Sequence, residues 1–190
     1  MSLSTVQAIE LGALSFLATN VDNLVVFATQ MSLAQPHRRK QVALGQLLAS
    51  VLVVGFCLAL NHVLVEIPLW SFGILAIVPF VLCVKSAMSL RKPVAEPAVV
   101  NSMVGAAFVT FAISADNAAS YLPLLRATSG LTEWLLVATF CSLFALLIGA
   151  AALIARTPAT QRVIRSIGRF LEPPLYGILG ICVLFATGII

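Results

Sequence analysis

Two Asp-Asn pairs stand 94 residues apart in this chain: Thr19-Asn20-Val21-Asp22-Asn23 and Ser114-Ala115-Asp116-Asn117. Each is embedded in a long apolar stretch. Carboxylates, carboxamides and hydroxyls together are oxygen donors for a hard divalent cation such as manganese, magnesium or calcium; softer ions recruit thiolate or imidazole. On a helix Thr19, Asp22 and Asn23 fall at i, i+3, i+4 and share a face, and Asp116, Asn117 and Ser120 repeat that spacing. Two neighbouring carboxylates in a low dielectric also resist simultaneous ionisation, so they exchange protons as a unit. A cation displacing those protons would give proton-coupled antiport.

Such residues are costly in oil, and the composition implies oil. Of the 190 residues 61% are hydrophobic and 9% charged, with a mean hydropathy of +1.07. Soluble domains are roughly 45–50% apolar and 25% charged. An aspartate at the bilayer centre costs about 2.5–3.5 kcal/mol on insertion scales, which is why such residues face a pathway, a partner or an ion. The alternative is purely structural: each Asp caps a kink or bonds a neighbouring helix.

The expected fold is an all-α, polytopic membrane protein of six transmembrane helices, with a single transmembrane domain over residues 1–190. The apolar runs predict spans at Leu11–Leu33, Val42–Leu60, Leu69–Val84, Val99–Leu125, Trp134–Ile154 and Pro174–Ile190. A bilayer-crossing helix needs about 20 such residues, and lipid offers an open strand no backbone partners. Division in the Arg91–Val100 loop gives two three-helix halves, residues 1–92 and 93–190, the second inserted upside down. Shifting the chain by 94 residues lays Asp22 on Asp116, Asn23 on Asn117, Gly55 on Gly149 and Pro79 on Pro173. Overall identity under that shift is at chance level, so the recurring polar and helix-breaking residues carry the inference of inverted repeats, whose substrate site lies near the midplane.

Basic residues alternate between loops. Arg38, Arg39 and Lys40 lie in the first, Arg91 and Lys92 in the third with Lys85 at its border, and Arg156, Arg162, Arg165 and Arg169 in the fifth. The second and fourth hold only Arg126. By the positive-inside rule both termini are outside. The net charge of +4 therefore reads as topology, not as a nucleic-acid surface, which would pair a basic face with stacking aromatics. No cofactor is expected: no P-loop is present. A homo-oligomer is left open.

Cys57, Cys83, Cys141 and Cys182 lie singly within spans, without a CxxC, and read as small apolar side chains. His37 belongs to the basic loop. His62, beside Asn61 and near Glu66, is an interfacial residue or an attractor of cations at an entrance. Glu10 sits at headgroup level, or as an outer waypoint. Glu172 before Pro173-Pro174 suits a helix start. Trp70 and Trp134 fit interfacial belts, and Arg162, Arg165 and Arg169 form a face for anionic lipid.

The Ala18–Leu24 segment, and Phe111–Asn117 followed by Tyr121-Leu122-Pro123-Leu124, resemble the first- and fourth-helix signatures of the CadD-type cadmium-resistance transporters within the LysE exporter superfamily. Gly45-Gln46, Pro79, Ile167-Gly168-Arg169, Pro173 and Gly180 fit the same pattern. The resemblance implies an exporter of divalent cations in the bacterial inner membrane, with Asp22 and Asp116 at the transport site and Asn23 and Asn117 beside them. Thr19, Asn20, Ser114, Ser120 and Tyr121 are expected to line it. The chain departs from the family's pattern in carrying Asn23 where a second acid is common, and Ser114-Ala115 where glycines are. Sister branches export amino acids, so a small-solute exporter is the alternative; a membrane enzyme would want a nucleophile–base set that the sequence lacks.

Overall fold

The computed structural model describes residues 4–64, 66, 74, 77–89, 102–157, 173–174, 176–178, 180–181 and 184. All described elements are helical: α1 Thr5–Leu33, α2 Arg39–Val63, α3 Ile77–Ser89, α4 Met103–Ile113, α5 Ala115–Arg126 and α6 Leu131–Ile154. α1, α6 and the segment Pro36–Val63 are long and apolar enough to cross a membrane; α4 is apolar but shorter. Of the stretch expected as a third span, residues 69–73 and 75–76 lie outside the described residues, as do Trp70, Arg91, Lys92, Arg162, Arg165, Arg169, Glu172, Cys182 and most of the last span.

Local chemistry sets where the helices start and stop. Ser4 and Gln7 form a capping box at α1, each side chain reaching the other's backbone N–H. Helix α1 thus begins a turn and a half before Leu11. Pro36 opens a single 3-10 turn that runs into α2, so Arg39 and Lys40 occupy the first turn of α2 and not a loop. Ser102 caps α4 through the Gly105 N–H at 3.1 Å. The tight connection from α5 to α6 turns at Gly130, whose φ of +59° favours a residue without a Cβ.

Contrary to a continuous fourth span, the helix breaks at Ser114. The Ser114 N–H turns back to the Phe111 carbonyl at 3.3 Å, which leaves the Thr110 carbonyl without its usual helical donor. Ser114 Oγ donates to it instead, at 2.7 Å. The hydroxyl thus repairs the break it accompanies, because a buried carbonyl left unpaired in lipid costs free energy.

Helix α1 packs chiefly along α6, and α2 along α4 and then α5; α2 also meets α6, and α1 meets α5. Small residues allow the close approaches, as is usual where helices pack in lipid. A Cβ on Gly45 would collide with the Met103 carbonyl of α4, and one on Gly12 with the Leu136 side chain of α6. Gly55 and Gly149, matched by the 94-residue shift, both face open space. Outward faces carry large apolar side chains such as Leu48, Leu52, Leu146 and Phe108, the last 75% exposed, as suits a lipid-facing surface.

Two cores lie inside. One gathers Phe16, Val54, Cys57, Tyr121, Leu125, Leu136, Phe140 and Phe144; Tyr121 stacks on Phe140 with centroids 4.0 Å apart. The other gathers Phe27, Met31, Val42, Ala106, Ile148 and Ala151. The 94-residue shift carries part of one onto the other: Phe27, Met31 and Val42 map onto Tyr121, Leu125 and Leu136, and Val54 and Cys57 onto Ile148 and Ala151, whereas Phe16, Phe140 and Phe144 fall on Thr110, Gln46 and Ser50.

Candidate functional site

Where α1 meets α5, a cluster of carboxamides and hydroxyls is shut away from solvent: Thr19, Asn20, Asn23, Ser114, Asn117, Ser120 and Tyr121 are all buried. The structure thus brings together most of the residues expected at the site. The centre of the cluster is Asn20. Its Nδ2 lies 2.9 Å from the Phe16 carbonyl, 3.1 Å from Thr19 Oγ1, 3.3 Å from Asn117 Oδ1 and 2.8 Å from the Tyr121 hydroxyl. A carboxamide nitrogen carries only two hydrogens, so these four acceptors compete, and the cluster has alternative bonding states of similar geometry.

The oxygen of the same amide is fully engaged. Asn20 Oδ1 accepts from Asn23 Nδ2 at 2.8 Å and from Asn117 Nδ2 at 3.3 Å. Asn20 and Asn117 therefore exchange hydrogen bonds in both directions across the two helices. Thr19 Oγ1 bonds back to the Ser15 carbonyl at 3.0 Å, within its own helix.

Asn23 ends with an oxygen to spare. Its Nδ2 is used, its residue is fully buried, and Asn23 Oδ1 has no partner among the described residues; Ser15 Oγ and Thr110 Oγ1 are buried in the same condition. Leaving such a group unmatched costs about 1–3 kcal/mol. Asp22 is half-buried at the edge of this face, with Oδ1 accepting the Asn23 N–H at 2.8 Å. The helical spacing put Thr19, Asp22 and Asn23 on one stripe; the packing centres that stripe between Asn20 and Asn23 and leaves the carboxylate at its flank.

Asp116 and Asn117 are the second and third residues of α5, directly after the Ser114 break. A carboxylate in a first turn is favoured by the helix dipole and the free N–H groups there. The Asp116 side chain is outside what the structure describes. Among the described residues no three His, Cys, Asp or Glu side chains converge on one point. The donor set at α1–α5 is thus one of amide and hydroxyl oxygens beside a carboxylate, the chemistry of a hard-cation site.

Other polar and thiol groups lie away from this cluster. Gln46 Nε2 bonds Gln30 Oε1 at 2.9 Å, both buried between α1 and α2; the presence of carboxamides in two apolar spans was the available signal. His62 pairs with Glu133 of α6, not with Glu66. Cys57 is buried in a core, and it, Cys83 and Cys141 are free thiols. Glu10 is exposed.

Residues 16–190 match the family model described as cadmium resistance transporter. No curated protein and no solved structure matches the chain.

Proposed function

The chain belongs to the cadmium resistance transporter family, and from that premise we propose that it exports a divalent cation through the α1–α5 site. The protein is a multi-pass membrane protein by its family and its apolar helices. Asp22 and Asp116 would supply the charge, Asn23 and Asn117 carboxamide oxygens, and Thr19, Asn20, Ser114, Ser120 and Tyr121 would line and hold the site. The observation that carries this reading is Asn23 Oδ1, a buried acceptor without a donor among the described residues, one residue from the half-buried Asp22. A cation that sheds its water satisfies such an oxygen; a proton donor is not needed.

The broken fourth span supports the same reading. Transporters build midplane sites at helix interruptions, where backbone and side-chain groups released from the helix face the substrate. The partial match of the two cores under the 94-residue shift favours a six-span plan of two inverted repeats, residues 1–92 and 93–190, since α1 against α6 then corresponds to α4 and α5 against α2. In the proposed cycle two protons replace one cation on Asp22 and Asp116, so export runs on an inward proton gradient across the bacterial inner membrane. The basic residues of the odd loops argue for termini on the outer side.

Proteoliposomes loaded separately with cadmium, zinc, manganese or calcium, with and without a pH gradient, test the proposal. Metal flux coupled to proton movement is the expected result. Flux of a neutral amino acid with no metal flux would overturn it.

A further inference from the structure

At the end of the bundle opposite Arg38, Arg39, Lys40 and Arg156, α2 finishes and α6 begins with three groups of ligand chemistry. Glu133 is 5% exposed although it stands in the first turn of α6. Its Oε1 accepts from Asn61 Nδ2 at 2.7 Å and lies 3.5 Å from His62 Nε2. Among the described residues, Asn61 and His62 are the polar side chains that reach it. Two observations argue that this is more than an ion pair at a helix end. First, 3.5 Å is long for a charge-assisted hydrogen bond, which closes to about 2.7–2.9 Å. It fits the separation of two ligands on one tetrahedral ion, about 3.3–3.6 Å for bonds of about 2.0–2.2 Å. Second, Asn61 is itself only 6% exposed, and its Oδ1 is a buried acceptor without a partner among the described residues. To meet an ion held by Glu133 the amide turns about its Cβ–Cγ bond, trading the hydrogen bond from its nitrogen for a bond from the oxygen.

We propose that Glu133, His62 and Asn61 form a second divalent-cation site, separate from the α1–α5 cluster and open to solvent on the His62 side, where the imidazole is 63% exposed. One imidazole, one carboxylate and one amide oxygen form a mixed N/O set that suits a borderline ion such as zinc. Three protein ligands leave a position for water, as in sites that must exchange what they bind. As a metal site it stands on its own geometry. As a way-station for exported cations it rests on the transport reading above, which places this end of the bundle outside.

The experiment uses purified, untagged full-length protein carrying Asp22→Asn and Asp116→Asn, so that the α1–α5 site is disabled, and titrates it with zinc. One equivalent of zinc is expected, with an imidazole nitrogen in its X-ray absorption spectrum. His62→Ala should remove that nitrogen signal and weaken binding by roughly tenfold or more, Glu133→Gln should weaken it likewise, and His37→Ala should change neither. His62 is exposed, so its substitution decides the matter even if Glu133→Gln fails to fold. Zinc binding indifferent to His62→Ala, or a nitrogen signal lost with His37→Ala instead, would overturn the site. A zinc site present in the double variant, together with wild-type protein that carries no metal flux, would count against the transport reading alone.

Discussion

Asn20 of α1 donates to the Tyr121 hydroxyl of α5 across 2.8 Å, in the buried interior. That bond joins the helix bearing one Asp-Asn pair to the helix bearing the other. It does so through residues beside the pairs and not through the pairs themselves. Because Asn20 Nδ2 has more acceptors in reach than hydrogens to give, the contact can be surrendered without leaving the amide unsatisfied. A site that alternates between cation-bound and empty states needs such interchangeable partners.

Tyr121→Phe should therefore cost little in stability, about 1 kcal/mol, since the stack on Phe140 survives and the Asn20 N–H turns to another acceptor. Transport should fall more than stability does. Thermal unfolding in detergent and initial flux in vesicles, measured on the same preparation, check the two effects separately.

Asn23→Asp supplies the second acid that the CadD-type pattern commonly carries and places a charge where a buried oxygen lacks a partner among the described residues. Cadmium binding by calorimetry should tighten. Asn23→Leu, of similar size but without the oxygen, should abolish flux while the protein still folds; retention of flux in the leucine variant would remove Asn23 from the site.

Gly45→Ala puts a methyl group against the Met103 carbonyl of α4, a backbone atom that cannot swing aside. Overpacking of this kind costs about 1–3 kcal/mol. Gly55→Ala, in the same helix but facing open space, should leave the melting temperature unchanged or slightly raised. Equal effects of the two substitutions would refute the α2–α4 approach.

Ser114→Ala removes the hydroxyl that accepts the role of backbone donor to the Thr110 carbonyl. A loss of about 1–3 kcal/mol is expected from the buried carbonyl left unpaired, read as a lower melting temperature. Ser114→Thr retains the hydroxyl and should recover most of the difference.

Much of this was legible in the chain. Hydropathy located α1, α2 and α6 within several residues, because a continuous apolar run long enough to cross a bilayer leaves few alternatives. Matching the Asp-Asn pairs identified the helices that meet at the site. The interruption at Ser114 was not legible: no glycine or proline marks it within Val99–Leu125 before Pro123 except Gly105, nine residues earlier, and serine in a membrane helix usually bonds its own preceding turn. Nor was the central place of Asn20, since helical spacing groups residues by face but does not say which face a neighbour covers. Glu133 was hidden by its position, an acid in a first helical turn where acids are ordinary. Its burial and its partners come from α2, 72 residues away in sequence from Asn61.

The most direct test of the transport site is cadmium flux into inverted proteoliposomes by Asp22→Asn and by Asp116→Asn, each confirmed as folded by its melting curve. Both variants should lose metal flux and the accompanying proton movement together. Wild-type flux with an unaltered pH dependence in either variant would contradict the account.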